Sequence, residues 1–137
     1  MLRKVADIIG EQRLLTLPES ASVREAARQM AKRDVRSVLV ANRGKLEGIF
    51  TGTDLIRLVG KDTDLDKTPL ADVMTRNPQV IGPDANAIDG LRRMQDGRFR
   101  HLPVVEKGKL VGILSRRDFL GEEIDEIERE DGLWQRV

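Results

Sequence analysis

The 137 residues contain no cysteine, which excludes disulfides, thiolate chemistry and cysteine-held metal together. Histidine occurs once, at His101, and no nucleophile or orienting acid forms a catalytic constellation around it in the sequence. No apolar run approaches the roughly 18 residues that a membrane span needs. The opening "MLRKVADIIGEQ" lacks a signal-peptide hydrophobic region, because Asp7 and Glu11 interrupt it. A soluble, cytoplasmic chain is expected, with no membrane partner. Nor is there an excess of one charge: 24 basic side chains face 23 acidic ones, so no field gathers nucleic acid and none is expected as a partner. A phosphate-binding glycine loop is missing too, since "GKL" is not G-x-x-x-x-G-K-[ST].

What is present is a repeat. With 39% hydrophobic and 34% charged residues, the chain suits one compact domain with an ordinary core. Asp54 and Asp118 stand 64 positions apart, and the same offset pairs Arg36 with Arg100, Met30 with Met94, Val40 with Val104 and "GKL" at Gly44 with "GKL" at Gly108. Upstream, "VADII" from Val5 matches "LADVM" from Leu70 with a slip of one residue. Two copies of one unit are written in tandem.

Each copy predicts the same series of elements. A short apolar touch at Thr16–Leu17, or at Val80–Ile81, precedes turn and cap residues, "PESAS" or "GPDAN". Val23, Ala26, Ala27 and Met30, like Ala87, Leu91 and Met94, recur at helical spacing, which makes both methionines core residues. Two valine-rich runs then flank "NRGK" or "EKGK", the pattern of an antiparallel hairpin. "DLIRLV" and "DFLGEEI" begin helices. The fold class is therefore α/β, two pseudo-symmetric strand-helix-strand-strand-helix (βαββα) repeats forming one module. Repeat 1 with its linker covers 1–65, repeat 2 covers 66–122, and a helical tail covers 123–137. Such copies are expected to bury their apolar faces against each other and leave clefts where loops and helix starts converge.

The phrases "GIFTGTD" and "GILSRRD" carry the functional question. Thr51-x-x-Asp54 and Ser115-x-x-Asp118 read as helix entries, the hydroxyl capping free N–H groups and the acid favoured at the positive helix end. The same geometry also suits a ligand, because a helix start attracts phosphate and a carboxylate accepts hydrogen bonds from both ribose hydroxyls. Context favours the second reading: each phrase occurs once per repeat, after a hairpin, facing the expected cleft.

At "VADII", "LADVM", "RSVLVANRGKLEGIFTGTD" and "RHLPVVEKGKLVGILSRRD" the sequence resembles the cystathionine beta-synthase (CBS) domain family in its tandem arrangement, the Bateman module. The resemblance covers roughly residues 4 to 121, and the first copy departs from the family pattern at Ser37 and Leu39. It implies binding of an adenosine-containing ligand, such as AMP, ADP, ATP, S-adenosylmethionine or a nicotinamide dinucleotide, in one or both clefts. Carried to this chain, one cleft takes Thr51, Thr53 and Asp54 with Asn77, Pro78 and Gln79, and Arg100 or His101 faces phosphate. The other takes Ser115, Arg117 and Asp118 with Leu14 and Leu15, and Arg36 faces phosphate. It also implies a homodimer of modules packed through their helices.

Each of these residues has a plainer alternative. Arg36 and Arg100 also fit solvated arginines before a strand, His101 a partly packed strand residue, and Arg116 and Arg117 surface charge. Asp62, Asp64 and Asp66 alternate like part of a calcium loop but lack its glycine and terminal glutamate, and read as linker. In the tail, Ile124 and Ile127 mark a mostly polar helix, and Leu133 with Trp134 suggests an apolar contact, either with the module or across a dimer. The function expected is a regulatory nucleotide-sensing module, not an enzyme, with no required cofactor and a regulated protein still to be identified; the alternative is a ligand-free assembly module.

Overall fold

A computed structural model describes residues 2–135 of the chain. The elements run α1 (Val5–Ile9), β1 (Thr16–Leu17), α2 (Val23–Arg33), β2 (Ser37–Asn42), β3 (Lys45–Thr51), α3 (Gly52–Gly60), α4 (Leu70–Val73), β4 (Thr75–Arg76), α5 (Ala87–Gly97), β5 (His101–Glu106), β6 (Lys109–Ser115) and α6 (Gly121–Gln135). A 3-10 turn, Arg116–Asp118, lies between β6 and α6. The chain is thus an α/β fold of two repeats.

Turn chemistry sets the hairpins. Arg43 and Gly44 both have positive φ, 51° and 80°, as do Lys107 and Gly108 at 50° and 77°. Two successive residues in that region make the two-residue turn whose twist matches antiparallel strands, and glycine takes the second place without steric cost. The first hairpin pairs Ser37 with Thr51 and Val38 with Phe50, with an irregularity between Val40 and Ala41. β1 adds to it in parallel, Thr16 opposite Leu39, and β4 adds antiparallel on the other side, completing a four-stranded sheet. In the second copy β5 and β6 form a two-stranded sheet, and β1 has only a one-residue counterpart, the bridge of Ile81 to Val104.

The chain divides into two compact units, one built from Arg13–Pro78 with Gly108–Leu110, the other from the residues up to Gln12, Gln79–Lys107 and the chain from Val111 on. The first holds Val23, Ala26, Met30, Val38, Val40, Phe50, Leu70 and Met74 in its core. The second holds Val5, Ile9, Ala87, Leu91, Met94, Leu102, Val104, Leu114, Phe119 and Ile127. Val23 and Ala87, Met30 and Met94, Val38 and Leu102, and Phe50 and Leu114 are equivalent at the repeat offset, so both units pack the same positions.

These units do not follow the repeat boundaries in the sequence. The helix preceding each copy packs on the other copy: Val5 N–H donates to the Ala85 carbonyl at 2.9 Å, and Leu70 N–H to the Ala21 carbonyl at 2.8 Å. Both apolar side chains are fully buried at those places. The exchange explains the first letter of each repeated phrase. A Cβ on Gly48 would lie 2.7 Å from Met74 Sδ and 2.8 Å from the Thr75 carbonyl oxygen, and one on Gly112 would lie 2.8 Å from Ile9 Cδ1. Only glycine lets the exchanged segment approach the strand so closely.

One difference breaks the symmetry. After Thr51 the chain continues as a nine-residue helix, α3, but after Ser115 it makes only the 3-10 turn. Phe119 is extended, φ −98° and ψ 147°, and α6 starts afresh at Gly121. The restart has a local cause. Glu123 Oε1 accepts the Leu120 N–H at 2.8 Å while Glu123 N–H donates to the Leu120 carbonyl at 3.0 Å, a reciprocal cap that begins a new helix after a two-residue gap. Along α6, Arg92 of α5 holds Glu130 at 3.0 Å and Gln95 holds Asp131 at 2.9 Å. The apolar contact expected of Leu133 and Trp134 falls outside the described side chains. No helix among the described residues is long and apolar enough to cross a membrane.

Candidate functional site

In the first unit, Thr51 is the N-cap of α3, and its Oγ1 accepts the Asp54 N–H at 3.3 Å. Asp54 Oδ2 returns the bond, accepting the Thr51 N–H at 2.9 Å and the Thr51 hydroxyl at 3.0 Å. The other oxygen, Oδ1, stands 3.7 Å from Arg57 Nη1, a partner one turn along the helix. Arg57 is more than two-thirds exposed, so solvent screens this pair. Thr53 and Arg36 are exposed beside the turn.

The second unit repeats the device. Asp118 Oδ2 accepts the Ser115 N–H at 2.7 Å, and Ser115 Oγ accepts the Arg117 N–H at 3.3 Å. Among the described residues, Asp118 Oδ1 takes no hydrogen bond. The cap and the ligand readings of these aspartates are therefore compatible. One carboxylate oxygen closes the turn, and the second points elsewhere with its acceptor capacity unspent at Asp118.

The hairpin register decides which arginine stands where. Because Ser37 lies opposite Thr51, the Arg36 carbonyl accepts the Gly52 N–H at 2.9 Å; in the second copy the Arg100 carbonyl accepts the Arg116 N–H at 3.0 Å. Each arginine thus adjoins the turn of its own copy, whereas the sequence grouping set Arg100 and His101 with Asp54 and Arg36 with Asp118. His101 belongs to the second-copy cluster. Burial holds its pKa below the ordinary value, Arg100 and Arg117 add to the depression, and Asp118 opposes it. The imidazole beside this turn is accordingly neutral near pH 7.

The remaining expected residues divide between the units. Asn77, in the left-handed region at φ 47°, gives its N–H to the Glu47 carbonyl at 3.3 Å, and Pro78 follows it in the unit of Asp54. Gln79 is exposed and belongs to the unit of Asp118. Leu14 and Leu15, grouped with Asp118 from the sequence, lie in the unit of Asp54. Their carbonyls are engaged there, Leu15 by the Leu39 N–H at 3.0 Å and Leu14 by Arg33 Nη1 at 3.3 Å. Arg117 is exposed, while Arg116 is tied down by Gln95 at 2.9 Å and Glu128 at 3.5 Å, which makes it a structural arginine. Sequence reasoning passed over Arg57, although its position one turn after Asp54 was visible. It also passed over Arg3, whose Nη2 donates to the Asp118 carbonyl at 3.2 Å across 115 positions of sequence, a distance that leaves no local signal.

Comparison with known proteins identifies the family and the fold. The family model for the CBS domain matches residues 5–61 and again 70–125. A CBS domain-containing protein of Arabidopsis thaliana is 38% identical over 117 residues, covering 84% of this chain. The chain spans only about a fifth of that relative, 21% of its length. Among solved structures, a CBS domain protein from Pyrobaculum aerophilum complexed with AMP superposes with a TM-score of 0.83 at 26% identity, covering 93% of this chain and 99% of that one. A CBS domain pair complexed with 5′-methylthioadenosine and S-adenosyl-L-methionine superposes with a TM-score of 0.77 at 25% identity, covering 85% of this chain and 95% of that one.

Proposed function

This chain belongs to the CBS domain family, and on that premise we propose that it is a regulatory module that binds an adenosine-containing ligand at its two hydroxyl-x-x-aspartate turns. The observation that carries the reading is the carboxylate geometry: Asp54 and Asp118 each cap a turn with Oδ2 and keep Oδ1 outside the cap. A ribose offers two adjacent hydroxyl donors to such an oxygen. Thr53 and the Ser115 hydroxyl donor suit phosphate or ribose oxygens, the Thr51 hydroxyl adjoins them, and Arg36, Arg100, Arg117 and His101 supply charge or hydrogen bonds nearby. Adenosine ligands in the structural relatives, AMP in one and S-adenosyl-L-methionine with 5′-methylthioadenosine in another, support the ligand class.

Binding without turnover is the reading these turns support. Each hydroxyl accepts a cap N–H and each aspartate closes its turn through Oδ2, so neither turn presents an activated nucleophile. The module acts by shifting the population of a regulated partner, which requires a ligand affinity that differs between two states. A second copy of this chain is the partner that α3 favours. Ile56 and Val59 lie one turn apart on it and are 72% and 55% exposed. A thermal-shift panel of AMP, ADP, ATP, S-adenosylmethionine and NADH tests the reading. At least one should raise the melting temperature in a concentration-dependent manner. No shift with any of them would favour an assembly module without ligand.

A further inference from the structure

The two aspartates are equivalent in sequence but are not held alike. Asp54 sits in the first turn of α3, where successive helical hydrogen bonds fix its backbone. Asp118 sits in a three-residue turn whose own backbone bond is long, Phe119 N–H to the Arg116 carbonyl at 3.3 Å, so that the side-chain caps carry it, and the chain leaves it extended. In an α-helix the carbonyl of residue 118 would receive the N–H of residue 122. Here α6 has been set back, and the guanidinium of Arg3 takes that place.

Arg3 makes four contacts at once. Nη2 donates to the Asp118 carbonyl at 3.2 Å and to Glu123 Oε1 at 2.6 Å, and Nε donates to Glu123 Oε2 at 3.4 Å. Its Cζ lies 5.9 Å from the centroid of the Phe119 ring, within reach of a cation–π attraction. The Glu123 carboxylate that receives the fork also accepts the Leu120 N–H, so one side chain spans the end of the turn and the start of α6. The planar fork suits this task, whereas a lysine offers a single point of charge. Arg3 itself is held in place, since its carbonyl accepts the Ala87 N–H at 2.8 Å.

We propose that Arg3 is a positioning residue for the ligand carboxylate of Asp118: it substitutes for the missing helix by clasping the Asp118 carbonyl and Glu123 together. The inference rests on the reading of Asp118 as a ribose ligand, and it makes the second turn, unlike the first, dependent on the residues that lead into α1.

The test compares Arg3→Gln and Arg3→Lys in an Asp54→Ala background, so that the Asp118 turn alone is read. Calorimetric titration uses AMP and its 2′,3′-dideoxy analogue as probes, and hydrogen exchange follows the Phe119 and Leu120 amides without ligand. Arg3→Gln should speed that exchange and weaken AMP about three- to tenfold, the loss expected for one or two hydrogen bonds. Arg3→Lys should fall between, and affinity for the dideoxy analogue should not change. Unchanged exchange would overturn the clasp. Faster exchange with AMP affinity within about twofold of the parent, or an equal loss for both nucleotides, would overturn the positioning role and leave Arg3 a structural residue. Failure of the Asp54→Ala parent to bind AMP at all would instead strike the ribose reading of Asp118 and the positioning claim with it, while exchange would still report whether Arg3 holds the turn.

Discussion

Single side chains divide between geometry and chemistry in each repeated phrase. Gly48 answers to geometry: its missing Cβ leaves room for Met74 and for the Thr75 carbonyl. Met74 can shift its flexible chain, but the backbone oxygen is fixed by the pairing of Ile49 with Thr75. Gly48→Ala should therefore destabilise the protein by about 1–3 kcal/mol, the usual cost of overpacking, measured by chemical denaturation. Gly112→Ala should also destabilise, because the atoms it meets include Cβ and Cγ2 of the β-branched Ile9, both at 3.0 Å. A Gly48→Ala protein as stable as the parent would mean that β4 does not approach the strand as described. The aspartates were legible as candidates because the hydroxyl-x-x-acid spacing recurs at the repeat offset. Their two-sided use was not, since which oxygen caps and which stays outside depends on rotamers that a sequence does not carry.

At the scale of elements, hairpins and first helices were legible for local reasons. "NRGK" and "EKGK" contain the residues their turns demand, and Ser22 caps α2 by accepting the Glu25 N–H at 3.1 Å. The helix expected directly from "DFLGEEI" is instead a 3-10 turn, an extended Phe119 and a late start, because Glu123 caps Leu120 and Phe119 turns into the core. That outcome depends on Arg3, far away in sequence. Glu123 also gives the element a pH dependence. Burial raises its pKa, but Arg3 and the Leu120 N–H outweigh burial and leave it below the ordinary 4.5. A carboxyl depressed on folding contributes stability that is complete above its unfolded pKa and is lost as pH falls through the folded one. Stability should thus decline below about pH 4.5, and Glu123→Gln should be less stable at neutral pH with a flatter acid limb, followed by denaturation between pH 3 and 7. An acid limb unchanged by Glu123→Gln would show that the pair contributes nothing.

For the whole molecule, the repeat was evident from its constant offset, yet the exchange of α1 and α4 between copies was not. Val5 and Leu70 look like ordinary starts of the copies they precede, and nothing local says that each is buried against the other copy. The exposed pair Ile56 and Val59 belongs to this scale as well, since apolar side chains so exposed on one helix face call for a covering surface. If a second copy supplies it, Ile56→Glu should move the sedimentation profile from dimer toward monomer at micromolar concentration with little change in unfolding midpoint. A parent that sediments as a monomer at high concentration would remove the dimer from the account.

The proposed function stands or falls on whether the two equivalent turns hold adenosine ligands through aspartate. Calorimetric titration of AMP or whichever ligand shifts the melting temperature, into the parent, Asp54→Ala, Asp118→Ala and the double variant, tests it most directly. Loss of a carboxylate that accepts two hydroxyls should weaken the affected turn by tenfold or more, at about 1.5–3 kcal/mol per charge-assisted bond. A lost cap alone would cost about 1 kcal/mol of stability and leave affinity unchanged. Each single variant should lose one binding event and the double variant both, while a ligand without ribose hydroxyls should be indifferent to all three. Equal affinity and stoichiometry in all four proteins would contradict this and return both aspartates to being caps.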